Sequence, residues 1–158
     1  MLRITRRADY ALRLLLELGA APSGGRLAAR LLSRRAGVPL PFLHKVSADL
    51  QRAGLVHAQP GPRGGLALAA PPDRITLRAV FEAVEGPVAL NACLVRPAEC
   101  PRTRRCPAHR SLARLQDLVV GELEGTTLQD LLDEARAGSL QPSSLEAAPA
   151  LAESPGFG

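Results

Sequence analysis

The 158-residue chain suits one domain with an appended element, and no stretch reaches the roughly 18 apolar residues of a membrane span, which excludes a membrane-spanning helix. One Tyr, three Phe and no Trp leave Leu, Ala and Val to build the core, and that composition favours helices. The formal charge of +5 is divided unevenly, with +8 on residues 1–63, +3 on residues 64–110 and −6 on residues 111–158, so a polyanion suits the front half.

Nineteen of the twenty basic residues are Arg, the exception being Lys45. Arg3, Arg6 and Arg7 precede an apolar run, as in a secretory signal, but Arg13 and Glu17 interrupt it. Ala11, Leu14, Leu15 and Leu18 instead recur at helical spacing and predict a folded first helix over about Ala8–Gly19. A turn follows over Ala20–Gly25. Leu27–Ala36 reads as a second helix stopped by Gly37. Val38-Pro39-Leu40-Pro41 breaks the pattern, and Pro41 suits the start of a third helix running to Ala53 and ending at Gly54. In that helix Phe42, Leu43, Val46 and Leu50 are expected to face inward. Leu55–Ala58 and Leu66–Leu68 read as strands around a Gly61–Gly65 turn. Two short helices, a tight turn and a hairpin make a winged helix-turn-helix pattern. Thr76 caps a fourth helix that ends before Gly86.

Residues 87–107 show no periodicity and hold four prolines and all three cysteines. Pro107 opens a long helix to about Leu123, with Ala108, Leu112, Leu115, Val119 and Leu123 as an apolar stripe that can pack on its own domain or against a second copy. Thr127 with Asp130 resembles a capping box for a last short helix stopping at Gly138. The Pro-, Ser- and Ala-rich residues 139–158 are expected to be disordered. The organisation read from this is a DNA-binding domain over 1–86, a cysteine-rich loop over 87–107, a dimerisation helix with the last short helix over 108–138, and the tail.

Three cysteines cannot close a disulfide framework, which points to a reducing, cytoplasmic setting and to metal or redox use. Six residues separate Cys93 from Cys100, five separate Cys100 from Cys106, and two separate Cys106 from His109. Four such ligands within seventeen positions can enclose a metal centre. Arg96, Arg102, Arg104 and Arg105 lie among the thiols, and Cys106 stands at a helix start, where negative charge is favoured. The paired Cys-x-x-Cys of zinc knuckles is missing. Spacing alone leaves an iron–sulfur cluster, zinc and free thiols open. No third group orients a Cys–His hydrolytic pair, so an enzyme is not expected.

Arg6-Arg7-Ala8-Asp9-Tyr10-Ala11-Leu12-Arg13, Val38 to Val46, Leu50-Gln51-Arg52-Ala53-Gly54-Leu55-Val56, Gly61-Pro62-Arg63-Gly64-Gly65 and the Cys93, Cys100, Cys106 loop, in that order, resemble the Rrf-two family of winged-helix regulators over about residues 1–135. The resemblance implies a mainly helical fold with a small β-hairpin wing, a homodimer formed through the long helix, double-stranded operator DNA read by the third helix and the wing, and an iron–sulfur cluster on the three cysteines. Its IscR-like members place a fourth ligand at the position of His109, which favours [2Fe–2S]. Its NsrR-like members use a partner-subunit residue at the position of Asp9, which favours [4Fe–4S]. We take His109 first and Asp9 as the alternative. Two departures concern the wing: Pro60-Gly61 replaces the family's Arg-Gly, leaving Arg63 as the local cation, and Leu66 replaces an aromatic. A cluster-free regulator that senses through thiol oxidation or a small ligand is the competing reading. An electron-transfer or cluster-transfer protein is a third, but it leaves the basic wing and helix-turn-helix unexplained.

For DNA, the residues at the start of a recognition helix reach base edges, which selects Pro39, Pro41, His44 and Lys45. Lys45 can donate to guanine O6 or N7. Arg34, Arg35 and Arg63 are candidates for phosphate or minor-groove contact.

Overall fold

The computed structural model describes residues 5–22, 25–61, 64–99 and 105–138. Its elements are α1 (Arg6–Gly19), α2 (Ala29–Ala36), α3 (Leu40–Arg52), β1 (Val56–Gln59), β2 (Gly65–Leu68), α4 (Leu77–Glu85), α5 (Ala92–Val95), α6 (Pro107–Gly125) and α7 (Leu128–Arg136). This is the mainly helical, winged helix-turn-helix architecture expected from the sequence.

Helix α1 is the centre of the core. It begins two residues earlier than the apolar spacing indicates because the Thr5 side chain accepts from the Ala8 amide and caps it. Ala11, Leu14, Leu15 and Leu18 are fully buried along one face. Against them pack α2, α3, α4 and α7, which bring Leu32, Leu43, Val46, Leu50, Val80 and Leu128 into one cluster. Each such side chain gives about 1.5–3 kcal/mol of burial, so this cluster is the main source of stability.

The wing is antiparallel, with Val56 opposite Leu68 and Gln59 opposite Gly65. Leu27 is not the start of α2. It forms a bridge to Leu66 on the outer edge of β2, through Leu27 N to Leu66 O and Leu66 N to Leu27 O, both 2.9 Å. The wing therefore gains a third rung that braces it against α2. Gly65 makes this approach possible: its φ is +148°, and a Cβ there would lie 2.3 Å from the Leu27 carbonyl oxygen.

Phe42 also departs from expectation. It is 47% exposed, because Leu43, Val46 and Leu50 already fill the inward face of α3 and Phe42 lies about 100° round the helix from Leu43. Its ring makes a T-shaped contact with that of Tyr10, with centroids 5.8 Å apart and planes at 64°. Residues 87–107 are not uniformly irregular, since α5 and a 3-10 turn over Pro97–Glu99 lie within them. One helical turn is too short to show a period.

The last two helices are tied back to α4. The Leu77 amide donates to Thr126 O (2.9 Å) and the Leu128 amide to Ile75 O (2.8 Å). Arg78 bridges Glu82 within α4 and Glu124 on α6. These bonds raise the Arg78 pKa, Glu82 contributing most. The Thr76 cap and the Thr127–Asp130 capping box both form as expected. Residues 139–158, expected to be disordered, lie outside the described residues. Among the described residues no helix is long and apolar enough to cross a membrane.

Candidate nucleic-acid interface and cysteine site

Two places in the fold carry chemistry. The first is the outer face of α3. Gly37 closes α2 in the left-handed conformation and Pro39 is the N-cap of α3, so the two helices are joined by a three-residue turn. Ser33 steadies that turn by donating to Val38 O at 2.7 Å. Pro39, Pro41, His44 and Lys45 are all exposed, on the side of α3 opposite the core. Arg34 and Arg35 are exposed in the last turn of α2, where they also complement the helix dipole. Arg63 lies outside the described residues.

Around Lys45 the structure gathers Arg7 and Asp49, which sequence reasoning did not select, with Phe42, which it expected to face inward, and Arg52, which it placed at the far end of the helix towards phosphate or solvent. Arg7, Phe42, Lys45, Asp49 and Arg52 are among the residues that line one shallow depression. Asp49 is paired with Arg7 of α1 and with Arg52 one turn further along α3, the latter at 3.0 Å. The Asp49–Arg52 pair follows from its i,i+3 spacing. The Arg7–Asp49 pair spans 42 residues and leaves no local trace. The result is a cationic rim with an exposed aromatic ring, on a helix that can enter a major groove.

The second place is the start of α6. Cys93 lies on α5. Cys106 is the N-cap of α6, with Pro107 in the first turn after it. His109 is in that same first turn, its amide donating to Cys106 O at 3.2 Å. Cys93 Sγ is 3.7 Å from His109 Nδ1. Cys93, Cys106 and His109 are each half-buried. Cys100 lies outside the described residues, and among the described residues no three His, Cys, Asp or Glu side chains gather as a metal site. Asp9 is part of no such group either. It faces Arg13 one turn along α1, at 3.0 Å.

Of the candidate donors, Cys93 and His109 stand at a separation that suits two ligands of one soft metal ion. Two ligands on a single tetrahedral ion, with thiolate and imidazole bonds of about 2.3 and about 2.0 Å, stand about 3.6 Å apart. The Cys93–His109 separation of 3.7 Å is close to that. Behind this pair, the Gln116 side chain accepts from the Leu90 amide at 2.8 Å and donates to Val88 O.

Residues 4–134 match the Rrf2 family, described as iron-dependent transcriptional regulators. The chain is 28% identical over 131 residues to the HTH-type transcriptional regulator IscR of Aliivibrio salmonicida, covering 83% of this chain and 77% of that one. Its structure is similar to that of CymR, the global cysteine regulator of B. subtilis, with a TM-score of 0.67 and 27% identity over 84% of this chain and 98% of that one. It shares its fold with IscR of T. potens, with a TM-score of 0.66 and 21% identity over 89% and 93% of the two chains. A family match across most of the chain, with the same winged-helix fold, identifies it as a member of the Rrf2 family, a DNA-binding transcriptional regulator and not an enzyme.

Proposed function

We propose that this regulator binds its operator as a homodimer and that an iron–sulfur cluster on Cys93, Cys100, Cys106 and His109 sets its affinity for DNA. The observation that carries this reading is the approach of Cys93 Sγ to His109 Nδ1, 3.7 Å, at the first turn of α6. The expected cluster is [2Fe–2S], with Asp9 of a partner subunit and [4Fe–4S] as the alternative. When bound, such a cluster supplies a centre that responds to iron, oxidant or nitric oxide. The chain's own residues do the rest. Cys106 and His109 belong to the first turn of α6, so their ligation fixes where that helix begins. The outer face of α6 exposes Leu115 (51%) and Leu118 (70%), an apolar strip suited to a second copy of the helix. Two recognition helices joined through α6 then have a spacing that depends on the order of the cysteine loop, and DNA affinity shifts by as much as the two states differ in it.

On the DNA side, Lys45, His44 and the start of α3 at Pro39 and Pro41 are assigned to base edges. Arg34, Arg35 and Arg63 are assigned to backbone or minor-groove contact.

The test is anaerobic isolation followed by iron and sulfide analysis, visible absorbance, and operator titration of holo and apo protein. The expected result is a coloured protein whose two forms differ in operator affinity. A colourless protein that keeps three free thiols after reconstitution, yet changes its DNA affinity on thiol oxidation, would replace the cluster with a thiol switch. The likeness to a cysteine regulator favours keeping that second reading in the experiment.

A further inference from the structure

Gln116 is a polar side chain on the amphipathic helix α6, and its position gives it more to do than face water. Its carboxamide oxygen accepts from the Leu90 amide at 2.8 Å and its nitrogen donates to the Val88 carbonyl. Both backbone groups are half-buried, in a stretch with no strand or helix to satisfy them. Only a carboxamide offers an acceptor and a donor side by side for such a pair. Gln116 stands seven residues after His109, so the two share a face of α6 about 10 Å apart along its axis. The chain from Val88 to Cys93 therefore runs back along α6. Gln116 grips its start, and His109 meets its end at the Cys93 sulfur.

We propose that Gln116 is a positioning residue for the cysteine site, holding the Val88–Leu90 backbone so that Cys93 is presented to His109 before any metal arrives. The proposal rests on reading Cys93 and His109 as one site, and it assigns the preorganisation of that half-site to a residue that touches neither. Fixing one thiol and one imidazole in advance lowers the ordering cost of ligation.

The experiment uses the full chain, metal-free and reduced, as wild type, Gln116→Glu and Gln116→Met. Cys93 alkylation by iodoacetamide is followed by mass spectrometry with Cys106 as internal reference, and Leu90 amide exchange is measured alongside. In Gln116→Met both bonds are lost, and the expected outcome is Cys93 alkylation several-fold faster relative to Cys106, with faster Leu90 exchange. Gln116→Glu keeps the acceptor for Leu90 and loses the donor to Val88, so it falls between. Cobalt(II), titrated by its thiolate charge-transfer absorbance, is expected to bind Gln116→Met roughly tenfold more weakly than wild type, the range for losing a residue that supports a metal ligand. Unchanged Cys93 reactivity and Leu90 exchange in Gln116→Met overturn the proposal. If that variant does not fold, the same two readouts in Gln116→Glu decide it. Failure of wild type to bind cobalt sinks the metal reading instead, and the alkylation result still decides the role of Gln116.

Discussion

The Asp49 carboxylate, 13% exposed, lies between Arg7 of α1 and Arg52 of α3, so the recognition helix is tied to the central helix by a charge that itself opposes DNA. Both arginines are half or more exposed, so the pairs are largely screened and their loss costs about 1 kcal/mol at most. Asp49→Ala is expected to lower stability by about that much in urea unfolding. It also releases two cations beside the groove-facing surface. Non-specific DNA affinity should therefore rise, and its salt dependence steepen by up to about two counterions. An unchanged salt slope would show that Arg7 and Arg52 lie off the DNA.

Lys45→Ala is expected to weaken operator binding by about 1–3 kcal/mol while leaving non-specific binding nearly intact, because a base-edge contact carries sequence information and a phosphate contact does not. Titrations with operator and with scrambled duplex give the comparison. Equal losses on both would move Lys45 to the phosphates. Phe42, 47% exposed beside it, can meet a thymine methyl, and Phe42→Ala should lower operator affinity with little loss of thermal stability.

Gly65→Ala and Gly54→Ala separate crowding from backbone strain. Both positions have positive φ, +148° and +73°, but a Cβ at Gly54 meets nothing within 4 Å whereas one at Gly65 runs into Leu27 O. Gly54→Ala is expected to cost about 1 kcal/mol. Gly65→Ala should cost about 2–3 kcal/mol and detach the Leu27 rung, seen as faster exchange of the Leu27 and Leu66 amides.

Leu118→Glu places a charge on the outer strip of α6, where Leu118 is 70% exposed and so contributes little to the protomer. Sedimentation should show weakened self-association, while circular dichroism shows the same helical content as wild type. A fully dimeric Leu118→Glu would place the interface elsewhere.

Asp130 links pH to the last helix. The Thr127 hydroxyl and backbone amide hold its pKa below the ordinary carboxylate value. The carboxylate form is thus favoured in the folded state, and its contribution is present above the ordinary carboxylate pKa and lost as pH falls through the lowered one. Asp130→Ala should therefore be less stable than wild type at neutral pH, with the two melting curves converging in acid. A constant gap across the titration would assign the difference to something other than the carboxylate.

The helix-turn-helix, the wing and the long helix were legible in the sequence because each follows a local rule: apolar period, Pro and Gly stops, Thr caps. What escaped is non-local. Leu27 continues the apolar spacing of α2, and only its backbone pairing with Leu66, 39 residues on, takes it out of the helix. Phe42 looks like core by residue type, yet Leu43 already holds that face. Gln116 carries no signal at all, since a polar residue on an amphipathic helix reads as surface until its partners at 88 and 90 are seen. Spacing made Cys93, Cys100, Cys106 and His109 candidates, and among the described residues the structure brings Cys93 and His109 to 3.7 Å.

Helix α6 meets the cysteine segment near its first turn and Arg78 of α4 through Glu124 near its last. Nineteen residues make it a rod about 28 Å long. A rod held at both ends is a lever: a tilt of roughly 5° about the far end swings the near end through roughly 2.5 Å. The far end, held by the Leu77–Thr126 backbone bond together with the Arg78–Glu124 pair, is then the fulcrum of any such tilt.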